Sequence, residues 1–139
     1  MTRVVIDPGV LIAALLSHTG APRLLIRIWI EGAFELLVSL KLLAELERVL
    51  EREKFRQYVS FQEARAYIAF IRRFATMVPD ARVVARVSPD PGDDYLLALA
   101  ASQSADFLIS GDAHLTQLKK TEPRVLTPRA FLTWLQNME

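Results

Sequence analysis

Cysteine is absent from the chain. That excludes thiolate metal sites, a cysteine nucleophile and a disulfide framework, and it fits a reducing cytoplasm. Histidine is scarce, with two in 139 residues, so a metal centre would rest mainly on oxygen. Neither sign of charge dominates: seventeen basic against sixteen acidic residues leave +1. No overall field then draws the protein to a polyanion, and nucleic-acid binding would need a local patch. No apolar stretch approaches the roughly 20 residues of a membrane helix. The first apolar run is broken by Asp7, Pro8 and Gly9, unlike the continuous core of a signal peptide. The expectation is a soluble cytoplasmic protein with no membrane partner.

What is present is an apolar content of 52%, enough for one real core at this length. Strand and helix signals alternate. Arg3 to Ile6 is a β-branched run, and Val10 to Leu16 opens as a buried helix. Ala21 to Glu31 reads as a helix with Pro22 in its first turn and Gly32 at its end. Phe34 to Val38 reads as a strand, and Ser39 caps a helix from Leu40 to about Arg52. Ser60 to Glu63 is a capping-box pattern whose helix runs to about Thr76. Val83 to Val87 has the composition of a strand, followed by the turn-rich Ser88 to Gly92 and a helix from Asp93 to Gln103. Phe107 to Ile109 is a strand, Ala113 to Leu118 a short helix, and Arg124 to Leu126 another strand. Thr127-Pro128 then starts a last helix to about Asn137. Without linkers or repeats, residues 1–139 form one expected domain. Its class is α/β: three layers, α/β/α, around a central, mainly parallel sheet.

Ligands of such sheets bind outside the carboxyl ends of the strands. Carboxylates fall at that edge in four places: Asp7, the helix bearing Glu45 and Glu47, the cluster Asp90, Asp93 and Asp94, and Asp112. Nothing basic is regularly placed beside them. Gathered carboxylates repel and raise each other's pKa, so a shared hard divalent cation, Mg2+ or Mn2+, best accounts for the set. Each also has a plainer explanation. Asp7 before Pro-Gly suits a turn, Asp93 and Asp94 suit a helix N-terminus, and Asp112 suits a cap. Glu45 and Glu47 lie just beyond opposite edges of their helix's apolar face, so periodicity leaves both open. Asp93 lies near the middle of the face made by Leu96, Leu97 and Ala100, which aims it into the fold's crevice.

The ordered motifs Val4-Val5-Ile6-Asp7, Ser39 with Leu42-Leu43-Ala44-Glu45-Leu46, Asp90-Pro91-Gly92-Asp93-Asp94 and Ser110-Gly111-Asp112 resemble the PIN domain. The resemblance spans nearly the whole chain, and within the family it is to the toxin components of bacterial toxin–antitoxin systems, relatives of the VapC-type ribonucleases. It implies a parallel sheet between helices and an acidic site holding Mg2+ or Mn2+ for RNA cleavage. By position, Asp7, Glu45, Asp93 and Asp112 correspond to the four acids of catalysis and metal binding. The resemblance thus selects Glu45 over Glu47 and Asp93 over Asp94. Ser110 matches a supporting Ser or Thr. The chain departs from the family at Pro8-Gly9, where Thr-Asn or Ser-Asn is usual. The departure removes a hydroxyl and an amide that organise the site, the kind of loss that typically costs about 10–100-fold in affinity or activity.

The implied activity is hydrolysis of RNA phosphodiesters, with hydroxide generated from metal-bound water for in-line attack. The implied partners are an RNA substrate and a cognate antitoxin protein. Candidates for gripping RNA are Arg23, Arg27, Lys41, Lys119 and Lys120, with Tyr95 to stack on a base; for each, an ordinary solvated or packing role competes. The alternative to an enzyme is a catalytically weakened PIN-like module that binds RNA or an antitoxin. A haloacid-dehalogenase-like phosphatase would need a second acid two residues after Asp7, where Gly9 stands. The segment Leu24 to Ile30 is apolar almost all round, as are core helices or a homodimer or antitoxin interface, and Trp29 and Trp134 are candidate anchors there.

Overall fold

The computed structural model describes residues 1–118 and 121–138. Five strands make one sheet: β1 (Arg3–Ile6), β2 (Glu35–Val38), β3 (Thr76–Met77), β4 (Phe107–Ile109) and β5 (Arg124–Leu126). Their order is β3-β2-β1-β4-β5, and every pairing is parallel. Helices α1 (Pro8–Leu16), α2 (Ala21–Ile30), α3 (Leu40–Leu50), α4 (Phe61–Phe74), α5 (Pro91–Ser102), α6 (Ala113–Thr116) and α7 (Pro128–Asn137) cover it, giving the three-layer α/β/α architecture.

The central strands are apolar because they are buried on both faces, as parallel sheets require. Val4, Val5, Ile6, Leu36, Leu37, Val38, Leu108 and Ile109 are all within 1% of complete burial. Val4, Val5 and Ile6 align with Phe107, Leu108 and Ile109, so β1 and β4 end side by side. Beneath them Phe34 and Phe107 both meet the Phe131 ring edge-on, at 5.3 and 5.7 Å between centroids. Trp134 lies against Phe107, and Trp29 meets Phe70 edge-on at 5.8 Å. Both tryptophans are packed against the core; Trp29 is 6% exposed. Among the described residues no single helix is long and apolar enough to cross a membrane.

Five expectations from sequence require correction. Residues 83–87 are not a strand: Val83, Val84 and Val87 are exposed, and the segment runs along the surface between Pro79 and Asp90. Arg86 interrupts its apolar residues, and the place beside β2 is filled by Thr76 and Met77, which pair with Leu37 and Val38. The preceding helix therefore stops at Phe74, short of Thr76. Helices α1 and α5 begin at Pro8 and Pro91, earlier than periodicity indicates, because Asp7 and Asp90 cap them and proline suits the first helical position. The helix at Ala113 ends at Thr116, before Leu118.

Candidate functional site

Asp7 follows the last residue of β1, and its backbone N–H donates to the Ile109 carbonyl at the end of β4 (2.8 Å). Its carboxylate is held at both oxygens: Oδ1 accepts from the Gly9 N–H (2.9 Å) and Oδ2 from the Ser110 hydroxyl (2.8 Å). Ser110, fully buried, accepts in turn from the Asp112 N–H (3.0 Å) and so ties the ends of β1 and β4 together. The turn-forming and site-forming explanations of Asp7 thus coexist in one side chain.

The tripeptide Asp-Pro-Gly occurs twice and does the same work each time. At Asp90, Oδ1 accepts from the Gly92 N–H (2.8 Å), as Asp7 does from Gly9. In each case proline occupies the first helical position, where a backbone N–H would have no partner inside the helix. The departure at Pro8 therefore costs no helical hydrogen bond. What it lacks is the hydroxyl and the amide.

Asp7, Glu45, Asp93 and Asp112 all line one open cleft of about 600 Å³, together with Asp90, Lys41 and Tyr95. The structure separates the pair that periodicity leaves open, Glu45 and Glu47, and keeps Asp93 at the cleft where periodicity aims it. Glu45 borders this cleft, whereas Glu47 borders grooves on the other flank, beside Arg65 and Ile68 of α4. Asp94 is buried and its Oδ1 accepts from the Val87 and Ser88 N–H groups (3.0 and 2.9 Å), which fixes the surface segment before α5. Asp93, 6% exposed, borders the cleft. Burial pushes its carboxyl up to about 6, and the neighbouring Asp90, Asp112, Asp7 and Asp94 charges push the same way.

Glu45 borders the cleft while paired along its own helix. Its carboxylate forms a two-point pair with Arg48 (2.6 and 3.1 Å), and this hydrogen bonding holds it below the usual carboxylate range. Among the described residues no three His, Asp or Glu side chains stand, as placed, close enough to hold one ion. The chemistry of the donor set nevertheless fits a hard divalent cation. It offers carboxylate oxygen alone, and its mutual repulsion is what a cation would relieve. Asp7, Asp93, Asp112 and Glu45 all border the cleft and would be the donors, Glu45 while paired with Arg48.

Of the basic candidates, Lys41 borders the cleft with its ammonium 4.6 Å from the Tyr95 ring centroid. Arg23 donates to the Ala14 carbonyl (3.0 Å), and Arg27 is exposed on α2. Lys119 and Lys120 lie outside the described residues. The Tyr95 hydroxyl bonds both Ser39 (2.7 Å) and Asp80 (2.6 Å), and burial pushes it well above the usual phenol range. Two contributors escaped the sequence. Asp80 gives no periodic signal, and Arg129 borders a second cleft that shares Asp7 and Asp112.

The sequence matches the PIN domain family over residues 3–114. The chain belongs to that family. PIN domains are generally nucleases and typically use divalent metals, and the carboxylate edge described above lies within the matched span. A search of curated proteins finds no match. Two solved structures share the fold. PAE2754 from Pyrobaculum aerophilum is 19% identical with a TM-score of 0.66, the alignment covering 98% of this chain and 90% of that one. VapBC2 from Rickettsia felis, bound to a DNA fragment from their promoter, is 10% identical with a TM-score of 0.62, covering 90% and 97%.

Proposed function

We propose that this PIN domain is a metal-dependent endoribonuclease acting in the cytoplasm as the toxin of a toxin–antitoxin pair, cleaving at the cleft of Asp7, Asp93 and Asp112. One observation carries the reading above all. Asp93 is nearly buried among like charges, an arrangement that costs stability and that a bound cation would offset. A divalent cation bound there supplies Lewis acidity toward a phosphoryl oxygen and lowers the pKa of water.

The chain's own residues do the rest. Ser110 orients the Asp7 carboxylate from one side and the Gly9 amide from the other. Asp94 anchors the segment preceding α5 and so holds Asp93 at the cleft wall. The likeness of fold to VapBC2, a toxin–antitoxin complex, supports a protein antitoxin as partner.

A catalytically weakened module that binds RNA or an antitoxin is the second reading. The observation that favours it is the Glu45–Arg48 pair, which occupies one of the four acids. Cleavage of a labelled single-stranded RNA with Mn2+, Mg2+ or chelator decides between them. The nuclease reading expects metal-dependent fragments that vanish with Asp93→Asn; no cleavage by the wild type, or equal cleavage by the variant, contradicts it.

A further inference from the structure

The carboxyl edge of the sheet carries a charge order that the four acids alone do not explain. Following the strand order β2-β1-β4-β5, the residues just beyond each strand are Ser39 with Lys41, then Asp7, then Ser110 with Asp112, then Thr127 with Arg129. The sequence along the edge is cation, acid, acid, cation. From β2 to β5 it spans about 14 Å, from three inter-strand gaps of about 4.8 Å.

Lys41 and Arg129 occupy equivalent places. Each is the second residue of a helix, α3 capped by Ser39 and α7 capped by Thr127. Neither helix has an acidic residue in its first turn. A cation there opposes the helix macrodipole, so helix stability does not account for either choice. Each instead borders an open cleft: Lys41 the one with Asp93 and Tyr95, Arg129 the one with Gly111 and Thr127. Among the described lining residues each is the one cation of its cleft, and the two clefts share Asp7, Gly9 and Asp112. They therefore adjoin at the acids and flank them with one positive charge on either side.

We infer that a single RNA strand runs along this edge, with the reacting phosphate over Asp7 and Asp112, and with flanking phosphates on Lys41 at one end and Arg129 at the other. The inference rests on the nuclease reading and adds to it the path of the substrate. Repulsion by the acids makes such contacts necessary, because the protein's net charge of +1 supplies no general attraction. Tyr95 sets the place of Lys41. Its ring lies beneath the ammonium and its hydroxyl is fixed by Ser39 and Asp80, so Lys41 extends over a held surface.

The test is binding of a 5′-labelled single-stranded RNA by anisotropy across a salt series, using Asp93→Asn protein to prevent turnover, beside cleavage by the wild type. Adding Lys41→Ala or Arg129→Ala should each reduce the slope of log affinity against log salt by about 0.7, and both together by about twice that. Lys41→Arg and Arg129→Lys should retain the slope, and Arg65→Ala on α4, in the groove beside Glu47 on the other flank, should leave it unchanged. If the wild type cleaves RNA but neither alanine variant alters the slope, the path is wrong and the nuclease reading stands. If the wild type neither binds nor cleaves with Mn2+, both fail. An unchanged slope combined with loss of a co-purifying protein partner assigns the two cations to a protein contact and overturns the inference.

Discussion

The Ser110 hydroxyl donates to Asp7 Oδ2 at 2.8 Å across 103 residues of sequence, and its oxygen accepts the Asp112 N–H at 3.0 Å. One buried side chain thereby links the two acids that end neighbouring strands. Ser110→Ala removes a donor to a carboxylate and leaves an amide without its acceptor. We expect a loss of about 1–3 kcal/mol in stability by chemical denaturation. Metal affinity or cleavage should fall about 10–100-fold, and Ser110→Thr should recover part of both.

Asp93 and Asp94 should respond oppositely to the same substitution. Asp94 accepts two amides, so Asp94→Asn weakens the hold on residues 87–88 and should destabilise the fold by about 1–3 kcal/mol. Asp93→Asn removes a desolvated charge repelled by its neighbours, and the metal-free variant should melt higher than the wild type at pH 7 while losing cleavage.

That stability difference should depend on pH with a definite sign. The Asp93 carboxyl titrates near 6 in the fold against 3.8 when unperturbed, so the native state binds the extra proton between those values. Its cost to stability is full above about pH 6 and is relieved as pH falls toward 4. Melting of metal-free protein should show the gap between Asp93→Asn and wild type shrinking over that window; a gap that widens on acidification contradicts the assigned burial and repulsion.

Restoring the hydroxyl and amide at positions 8 and 9 tests why this chain departs from its family. A Cβ at Gly9 would meet only the Asp7 Oδ1 at 3.6 Å, ordinary contact. Pro8→Thr with Gly9→Asn should therefore fold with stability changed by no more than about 1 kcal/mol. Cleavage should rise, by as much as about 10–100-fold if Pro8-Gly9 limits the site.

Much of this molecule is visible in its sequence where local chemistry and burial agree. The strands Arg3–Ile6, Phe107–Ile109 and Arg124–Leu126 fall where β-branched and apolar runs place them, most plainly in β1 and β4, whose buried residues are apolar. Thr127-Pro128 is legible as a cap followed by proline, and the same logic applied to Asp7-Pro8 and Asp90-Pro91 would have set the starts of α1 and α5. Thr76–Met77 is not legible: two exposed residues carry no pattern, and only pairing with β2 makes them a strand. The valines of residues 83–87 mislead for the converse reason, since composition favours a strand where the segment instead lies exposed and pairs with none of the strands. Glu45 against Glu47 needed the position of α4, and Arg129 needed the strand order, both properties of the assembled fold.

The central claim is that Asp7, Asp93 and Asp112 together hold a divalent cation. Calorimetric titration of Mn2+ into the wild type and into Asp7→Asn, Asp93→Asn and Asp112→Asn tests it directly, with Glu47→Gln, on the other flank of α3, as an acid whose loss should leave binding intact. The account predicts saturable binding by the wild type that each of the three cleft substitutions weakens at least about tenfold. No binding by the wild type, or equal binding by Asp93→Asn, would contradict it.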